Sequence, residues 1–254
     1  MIAAYRVLRL VSSALIDTYR RGLWLFALAP LVVALVIVPE FSQHVVEIQN
    51  GMFDDRASAL AFANAPLRWQ FGAVKLTGLA LTFFVAARFW WCHDQGGRWW
   101  RPGELAWGRV LLAAGLFMLI SSSTYPLRGH LPDAWLDGAD LALSFAILPL
   151  VFYFLSGLFG DRRISLATLY RRSWPYVLLL LILLVTAFAP AQMLHGLLHK
   201  WAISQDRWLI WTLMTIDALV VGLLASLTGA AFYTGYAAMT RRLETIPPDS
   251  PVPN

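Results

Sequence analysis

The feature that most limits the fold of this chain is an apolar stretch at residues 208–239, which contains a single charged residue, Asp217. A helix needs roughly 20 apolar residues to cross a bilayer, so this stretch is long enough. Small residues follow the aspartate on one helical stripe: Ala218, Gly222, Ala225, Ser226 and Gly229. Small residues let helix backbones approach closely in lipid. The stretch is therefore predicted to be a transmembrane helix against which other helices pack.

The composition also indicates a membrane protein. Of the 254 residues, 59% are hydrophobic and 14% are charged, whereas a soluble domain has about 25% charged residues. The single cysteine, Cys92, excludes an internal disulfide and a cysteine-based zinc site. The net charge of +5 is interpreted as an excess of basic residues on the cytoplasmic side of a membrane, and no nucleic-acid partner is expected.

The hydrophobic pattern predicts an all-α fold, a bundle of six transmembrane helices with cytoplasmic interfacial amphipathic helices. Residues 1–22 are predicted to form an amphipathic helix on the membrane surface, residues 23–240 the transmembrane bundle, and residues 241–254 a Pro-rich cytoplasmic tail. The first apolar stretch is expected to be an anchor, not a cleaved signal peptide. The six spans are placed at residues 23–38, 71–91, 110–126, 139–159, 175–194 and 208–239.

The distribution of basic residues predicts the topology. Fourteen of the 20 Lys and Arg residues fall on the side that carries both chain termini. By the positive-inside rule both termini are then cytoplasmic, in a bacterial inner membrane, and the even number of spans agrees. The polar and net acidic residues 39–70 are expected to form the first loop on the outer side.

Two charges lie at membrane depth by this scheme, Asp217 in the sixth span and Lys75 in the second. Both are on the outer halves of their spans, and a long lysine side chain could reach the aspartate. A charge inside a span is costly and suggests a functional role by default. The alternatives are a proton or cation relay, an anchor for a polar substrate, a structural ion pair between two helices, and an aspartate that meets water in a dipped entrance.

His195 and His199 are four residues apart, the spacing of two metal ligands on one helix face, with Asp206 as a conceivable third ligand. No HExxH-type motif accompanies them, so they are interpreted as interfacial histidines, and no metal or other cofactor is expected. The hydroxyl residues 121–124 are expected to bond to their own helix backbone, since no glycine elbow marks a serine nucleophile.

Arginines beside the predicted spans are candidate binding residues for anionic lipid headgroups, and topology alone is the alternative explanation for them. They lie on the side predicted to be cytoplasmic. The candidates are Arg6, Arg9, Arg20, Arg21, Arg162, Arg163, Arg171 and Arg172.

Residues 165–174 read Ser-Leu-Ala-Thr-Leu-Tyr-Arg-Arg-Ser-Trp. This segment, with the basic N-terminal helix and the acidic first loop, resembles the YciC-like group of six-span bacterial inner-membrane proteins of unknown function. Their relatives include the membrane domains fused to some glycerophosphodiester phosphodiesterases. The order of the predicted elements is similar over most of the chain, whereas the amino-acid sequence is similar only in this segment. It implies an envelope protein without assigned catalysis, and it supplies no active-site residues.

Three functions are compatible with the sequence. The first is a non-enzymatic inner-membrane protein, active in envelope maintenance or as the membrane subunit of a partner complex or homo-oligomer. The second is a transporter of lipid or of a small polar solute that uses Asp217 and Lys75. The third and least favoured is a membrane-embedded hydrolase. A dry core of small residues would favour the first, a polar path through Asp217 the second, and converging His, Ser and Asp side chains the third.

Overall fold

The computed structural model describes residues 2–128, 130 and 132–244, without the side chains of residues 2–4, 127, 133 and 244. This part of the chain is all-α, as predicted, and residues 245–254 of the predicted tail lie outside it. Its helices are α1 (Ile2–Leu28), α2 (Pro30–Gln49), α3 (Arg56–Ala63), α4 (Pro66–Asp94), α5 (Trp107–Ser121), α6 (Asp133–Phe159), α7 (Leu166–Arg172), α8 (Trp174–Ala202) and α9 (Arg207–Glu244).

Five of these helices, α2, α4, α6, α8 and α9, are long and apolar enough to cross a membrane. The shorter α5 is also apolar but has 15 residues, which corresponds to about 22 Å of helix rise. Since a bilayer has a hydrocarbon core of about 30 Å, α5 is the predicted span whose length fits least well.

The predicted first span at residues 23–38 is not a single helix. Helix α1 continues to Leu28, the backbone leaves the helical conformation at Ala29, and α2 begins at Pro30. A proline fits the first turn of a helix because its missing N–H has no partner there in any case. Pro39 was expected to end the span, but it lies inside α2, which continues to Gln49.

The same kind of extension occurs in α8. This helix contains Pro190 and runs to Ala202, so the histidines expected in a short loop are part of a helix. Residues 39–70, expected to be an outer loop, form the second half of α2, the whole of α3 and the beginning of α4. These extensions create the site described below.

The chain divides into two compact units. The first contains Met1–Trp90 and Leu181–Thr234, hence α1 to α3, most of α4 and the larger parts of α8 and α9. The small residues of α9 are buried here. A Cβ atom added at Gly222 would lie 2.7 Å from Ile37 of α2, and one at Gly229 would lie 2.5 Å from Ala86 of α4. Helix α9 therefore packs closely on both neighbours, as its sequence predicted.

The second unit contains Trp91–Leu180 and Gly235–Asn254. Helices α5 and α6 pack as an antiparallel pair, and the backbone N–H of Ala106 donates to the carbonyl of Gly157 at 2.9 Å. The guanidinium of Arg109 donates to three carbonyls in the connection from α6 to α7, at Asp161, Arg162 and Ile164. These bonds tie α5 to that connection.

Candidate metal centre

Helix α2 carries four polar side chains on one face of its second half. Glu40, Gln43, His44 and Glu47 follow the helical spacing i, i+3, i+4 and i+7, which places them on one side. All four are buried. Burying so many polar groups costs free energy unless each finds a partner. Their partners come from α4, α8 and α9.

The central acceptor is Asp217 of α9, whose side chain is completely buried. His195 Nδ1 lies 2.8 Å from Asp217 Oδ2, and His199 Nε2 lies 3.3 Å from the same oxygen. His44 Nε2 approaches it at 3.0 Å. Three imidazoles from two helices thus converge on one carboxylate. We refer to Glu40, His44, Glu47, His195, His199 and Asp217 as the polar centre.

A second layer of contacts fixes the ring of His44. Its Nδ1 lies 3.0 Å from Glu47 Oε2, while Glu47 Oε1 accepts hydrogen bonds from Gln43 Nε2 at 2.6 Å and Arg68 Nε at 3.0 Å. A histidine that binds a metal usually donates its other ring N–H to a carboxylate, which sets its tautomer and orientation. The pair of Glu47 and His44 has this arrangement, with His44 Nε2 directed toward Asp217.

Glu40 is fixed in a similar way by Lys75. Lys75 Nζ donates to Glu40 Oε1 at 2.9 Å, and this oxygen lies 3.3 Å from His44 Nε2. The other oxygen, Glu40 Oε2, is buried and has no hydrogen-bond partner among the described residues. Gln43 Oε1 and His199 Nε2 are also buried without such a bond in the described part of the chain. Buried polar atoms without partners require an explanation, and an unseen ligand is one.

The donor atoms are close enough to share one ion. One atom from each of Glu40, His195, His199 and Asp217 lies within 4.8 Å of the other three, and His44, Glu47 and His199 form an adjoining group. A tetrahedral zinc site with bonds of about 2.0–2.1 Å has ligand atoms about 3.3 Å apart. Asp217 Oδ2 lies 3.3 Å from His199 Nε2 and 3.0 Å from His44 Nε2, which is within a few tenths of an ångström of this value. Its separation of 2.8 Å from His195 Nδ1 is shorter. Imidazole and carboxylate ligands together suit Zn²⁺, Fe²⁺ or Mn²⁺.

The charges of the polar centre do not balance when its histidines are neutral and no cation is bound. Its three carboxylates face two fixed cations, Arg68 and Lys75. With neutral histidines the set carries a formal charge of −1, and an uncompensated buried charge is strongly destabilising. A divalent cation supplies the missing positive charge, and so does a proton on one histidine.

Apolar layers border the polar centre within the first unit. One cluster contains Met52, Phe53, Leu198, Ala202, Ile210 and Met214. The ring centre of Phe53 lies 5.8 Å from that of His199. A second cluster contains Val36, Val221 and Ala225, with Ile37, Leu79 and Phe83 packed against it. The polar centre is thus a polar region enclosed in an otherwise apolar bundle.

The structure assigns Lys75 a different partner from the one expected. It contacts Glu40, whereas Asp217 is contacted by three histidines. The expected pairing of Lys75 with Asp217 is wrong because Glu40, assigned to a loop, lies inside α2 and is nearer to the lysine. His195 and His199 lie within α8, where both are half-buried against Asp217. Asp206 immediately precedes α9, and its carbonyl accepts the N–H of Leu209.

Sequence reasoning missed Glu40, His44 and Glu47. Their helical spacing continues the apolar pattern of residues 30–38 and could have indicated a helix with a polar face. Pro39 and the acidic composition of residues 39–70 hid this signal, because both are typical of a loop. The expected use of the hydroxyls at residues 121–124 is confirmed for Ser122 and Ser123, which donate to the carbonyls of Met118 and Ile120.

The headgroup-binding arginines stay a prediction. Arg20 and Arg21 both donate to Asp17, and the guanidinium of Arg21 lies over the rings of Trp90 and Tyr233. Arg6 and Arg9 are exposed on α1, and Arg171 and Arg172 lie in the last turn of α7. Arg162 is exposed and its backbone carbonyl accepts from Arg109.

Arg163 contacts an acid of the second unit whose ionisation is shifted. Burial opposes ionisation of Asp161, but hydrogen bonds from the side chain and backbone of Arg163 outweigh it and lower the pKa of Asp161 below its usual value. The same carboxylate accepts a hydrogen bond from the hydroxyl of Tyr236 at 3.0 Å. Asp161 therefore has a structural role, since it joins the connection after α6 to α9.

Comparison of the chain with protein-family models, with curated proteins and with solved structures finds no match. The resemblance of residues 165–174 to the YciC-like group stays a prediction. The function is therefore inferred from the geometry of the polar centre.

Proposed function

We propose that the protein is an integral inner-membrane protein with six spans that binds a divalent transition-metal ion, of the zinc type, in the polar centre and uses it for hydrolysis. The observation that carries this proposal is the convergence of His44, His195 and His199 on Asp217, all within 3.3 Å of one carboxylate oxygen. Histidines at such short distances from a shared acid supply the ligand types that zinc prefers.

The residues around the ion have distinct roles in this proposal. His195, His199 and Asp217 are the ligands, which leaves a fourth position for water, and His44, oriented by Glu47, contacts Asp217. Glu40 remains beside them, held by Lys75 through one oxygen, with its other oxygen unpartnered among the described residues. A zinc ion lowers the pKa of a bound water to about 7 and so supplies hydroxide. Glu40 Oε2 is placed to accept a hydrogen bond from that water and to receive its proton.

The expectation of a non-enzymatic protein explains the polar centre less well. A bundle held together by small residues needs close packing, which α9 provides through Gly222 and Gly229. It does not need three buried carboxylates and three histidines. Polar and ionisable groups inside a membrane are expensive and are typical of functional sites.

A transporter that moves protons or cations through Asp217 is the second candidate. The formal charge of −1 favours it, because a proton on His44 would neutralise the polar centre without any metal. The apolar cluster of Val36, Val221 and Ala225 counts against it, since it borders the centre and offers no polar continuation among the residues that the cluster contains.

Metal analysis of the purified protein tests the proposal. The wild type, after incubation with Zn²⁺ and removal of excess, should hold about one zinc ion per chain. The double variant His195→Ala, His199→Ala should lose it, because two ligands are gone. His130→Ala, an exposed histidine of the second unit, is the matched control and should retain the zinc. Equal, near-zero zinc in all three would contradict the metal proposal and favour the proton-based transporter.

A further inference from the structure

The loop side of the polar centre is closed by the cluster around Phe53. Met52 and Phe53 follow α2, Leu198 and Ala202 lie at and after the level of His199 in α8, and Ile210 and Met214 precede Asp217 in α9. All of its members therefore lie toward the same helix ends, those that carry the loops after α2 and α8. A water-soluble molecule that approaches from those loops meets an apolar layer before it meets His199.

The turn that carries Phe53 is held in place. The backbone N–H of Met52 donates to the carbonyl of Glu47 at 3.0 Å, and that of Ser204 donates to the carbonyl of Phe53 at 2.8 Å. A cavity of about 530 Å³ lies beside this turn. Phe53 and Ile210 line it, but none of the residues of the polar centre does. The cavity thus ends at the apolar layer and does not reach the metal ligands.

The opposite side is closed as well. Val36 lies one helical turn before Glu40, and Val221 lies one turn after Asp217. Both belong to the second apolar cluster, where they pack with Ala225. Apolar side chains therefore border the polar centre toward both helix ends.

The remaining exposure is lateral. The side chains of Lys75, His195 and His199 are 17%, 16% and 19% exposed, although their acidic partners are completely buried. Exposed apolar residues flank Lys75 and His195, namely Val74 and Leu76 on α4 and Met193 and Leu194 on α8, whereas His199 lies between buried Leu198 and exposed Lys200. Exposed apolar surface on a spanning helix faces lipid, so the opening is toward the bilayer.

The depth of the opening suits one part of a lipid. Trp201 and Trp208 are exposed at the helix ends, where tryptophan marks the membrane interface. Along α8, whose end carries Trp201, His199 lies about 3 Å and His195 about 9 Å below that tryptophan. Acyl carbonyls lie just inside this interface, below the phosphates of the headgroups.

We infer that the substrate is a membrane lipid whose acyl ester or amide carbonyl enters the polar centre sideways from the bilayer; this rests on the proposed metal-dependent hydrolysis. Water adds through its oxygen to the carbonyl carbon, and the bond from that carbon to the alcohol oxygen or amine nitrogen breaks. The proton goes to the leaving oxygen or nitrogen. The products are a fatty acid and an alcohol or amine, so the step needs no co-reactant besides water.

Lateral access can be tested without a substrate. Zinc-loaded protein in nanodiscs of phosphatidylethanolamine and phosphatidylglycerol is exposed to EDTA, which stays in water, or to 1,10-phenanthroline, which enters lipid. Phenanthroline should remove zinc at least about tenfold faster, because a multiply charged chelator is excluded from apolar surroundings. Phe53→Ala should accelerate removal by EDTA. Phe62→Ala is the matched control, since Phe62 packs against the same cluster but should leave the rate unchanged.

The substrate class is tested in the same nanodiscs with ceramide added as an amide probe, and fatty acid is measured by mass spectrometry. Zinc-loaded wild type should release fatty acid from the ester lipids or from ceramide, while the His195→Ala, His199→Ala variant should not. Water-soluble p-nitrophenyl acetate should not be cleaved faster by the wild type than by the variant.

Three results would overturn the inference. In the first, EDTA removes zinc from the wild type as fast as it does from the Phe53→Ala variant. In the second, zinc-loaded protein cleaves the soluble ester but no lipid. In the third, zinc-loaded protein releases no fatty acid. In each case the protein still holds zinc, so the metal proposal survives. Cleavage of the soluble ester alone would leave the proposed hydrolysis intact, whereas a wild type that contains no zinc would contradict the proposed function itself.

Discussion

At the residue scale, the side chains of the polar centre are oriented by contacts that exist without any ion. His44 is held by Glu47, and Glu47 is in turn held by Arg68 and Gln43. Glu40 is held by Lys75. Prearranged ligands bind a metal more tightly because less conformational freedom is lost on binding. The contacts that orient the ligands should therefore affect affinity nearly as much as the ligands do.

Glu47→Gln tests this role. The variant keeps every ligand but weakens the acceptor for His44 Nδ1–H, so zinc affinity should fall about 10- to 100-fold. At saturating zinc the stoichiometry should equal that of the wild type. A competition titration with a fluorescent zinc chelator measures both quantities, with Glu104→Gln in the second unit as the control. Full loss of zinc at saturation would show that Glu47 is itself a ligand, and unchanged affinity would contradict the orienting role.

Lys75 and Glu40 should be coupled in stability. Removing one partner of a buried pair typically costs about 3–5 kcal/mol, whereas replacing both with neutral groups is often nearly neutral. Lys75→Met should therefore lower the melting temperature of metal-free protein in detergent. The double variant with both Lys75→Met and Glu40→Gln should recover much of the loss. Lys75→Met, Asp217→Asn should not recover it. The opposite pattern of recovery would mean that Lys75 pairs with Asp217 after all.

Among single residues, Asp217, His195 and His199 could be singled out from the sequence, because a charge in a span and two histidines four apart are local signals. That these residues form one site with His44 could not be predicted, since Asp217 and His44 are far apart in the chain and meet only through packing. The partner of Lys75 was out of reach for the same reason. Glu40 looked like one acid among several in a loop.

At the scale of helices, α9 organises the first unit through its small residues. Gly229→Ala places a Cβ atom 2.5 Å from Ala86 Cβ and 2.8 Å from the carbonyl of Phe83. Overpacking of this kind costs about 1–3 kcal/mol, so the melting temperature in detergent should fall. Gly72→Ala on α4 is the matched control, because an added Cβ there meets nothing within 4 Å. Equal melting temperatures for both variants would contradict close packing of α9 on α4.

The helices themselves were predictable where the hydrophobic pattern is long, as in α9. The end of α2 was not, because Pro39 ordinarily stops a helix and the residues after it are polar. A proline inside a helix is tolerated when neighbouring structure accommodates the carbonyl that loses its hydrogen bond. Acids after a proline are ordinarily solvated, but here Lys75 and Arg68 of α4 pair with Glu40 and Glu47 and let them stay buried.

At the scale of the whole molecule, the proposed topology of six spans with both termini in the cytoplasm has its own test. In the part of the chain that the structure describes, five helices are long and apolar enough to cross a membrane, and the shorter α5 is the sixth candidate. A reporter fused after Asn254 should be active in the cytoplasm, and one inserted near Asp54 should be active outside, because the basic residues are concentrated on the terminal side. Cytoplasmic labelling of a cysteine placed at Asp54 would contradict this topology, and with it the outward placement of the Phe53 turn.

The central claim is that histidines and carboxylates of the polar centre hold a metal ion, and X-ray absorption at the zinc edge of the purified, zinc-loaded protein tests it most directly. The account predicts nitrogen and oxygen ligands at about 2.0–2.1 Å, with the outer-shell scattering pattern of imidazole, and loss of that pattern in the His195→Ala, His199→Ala variant. Sulfur at about 2.3 Å, or oxygen ligands without imidazole scattering, would contradict it.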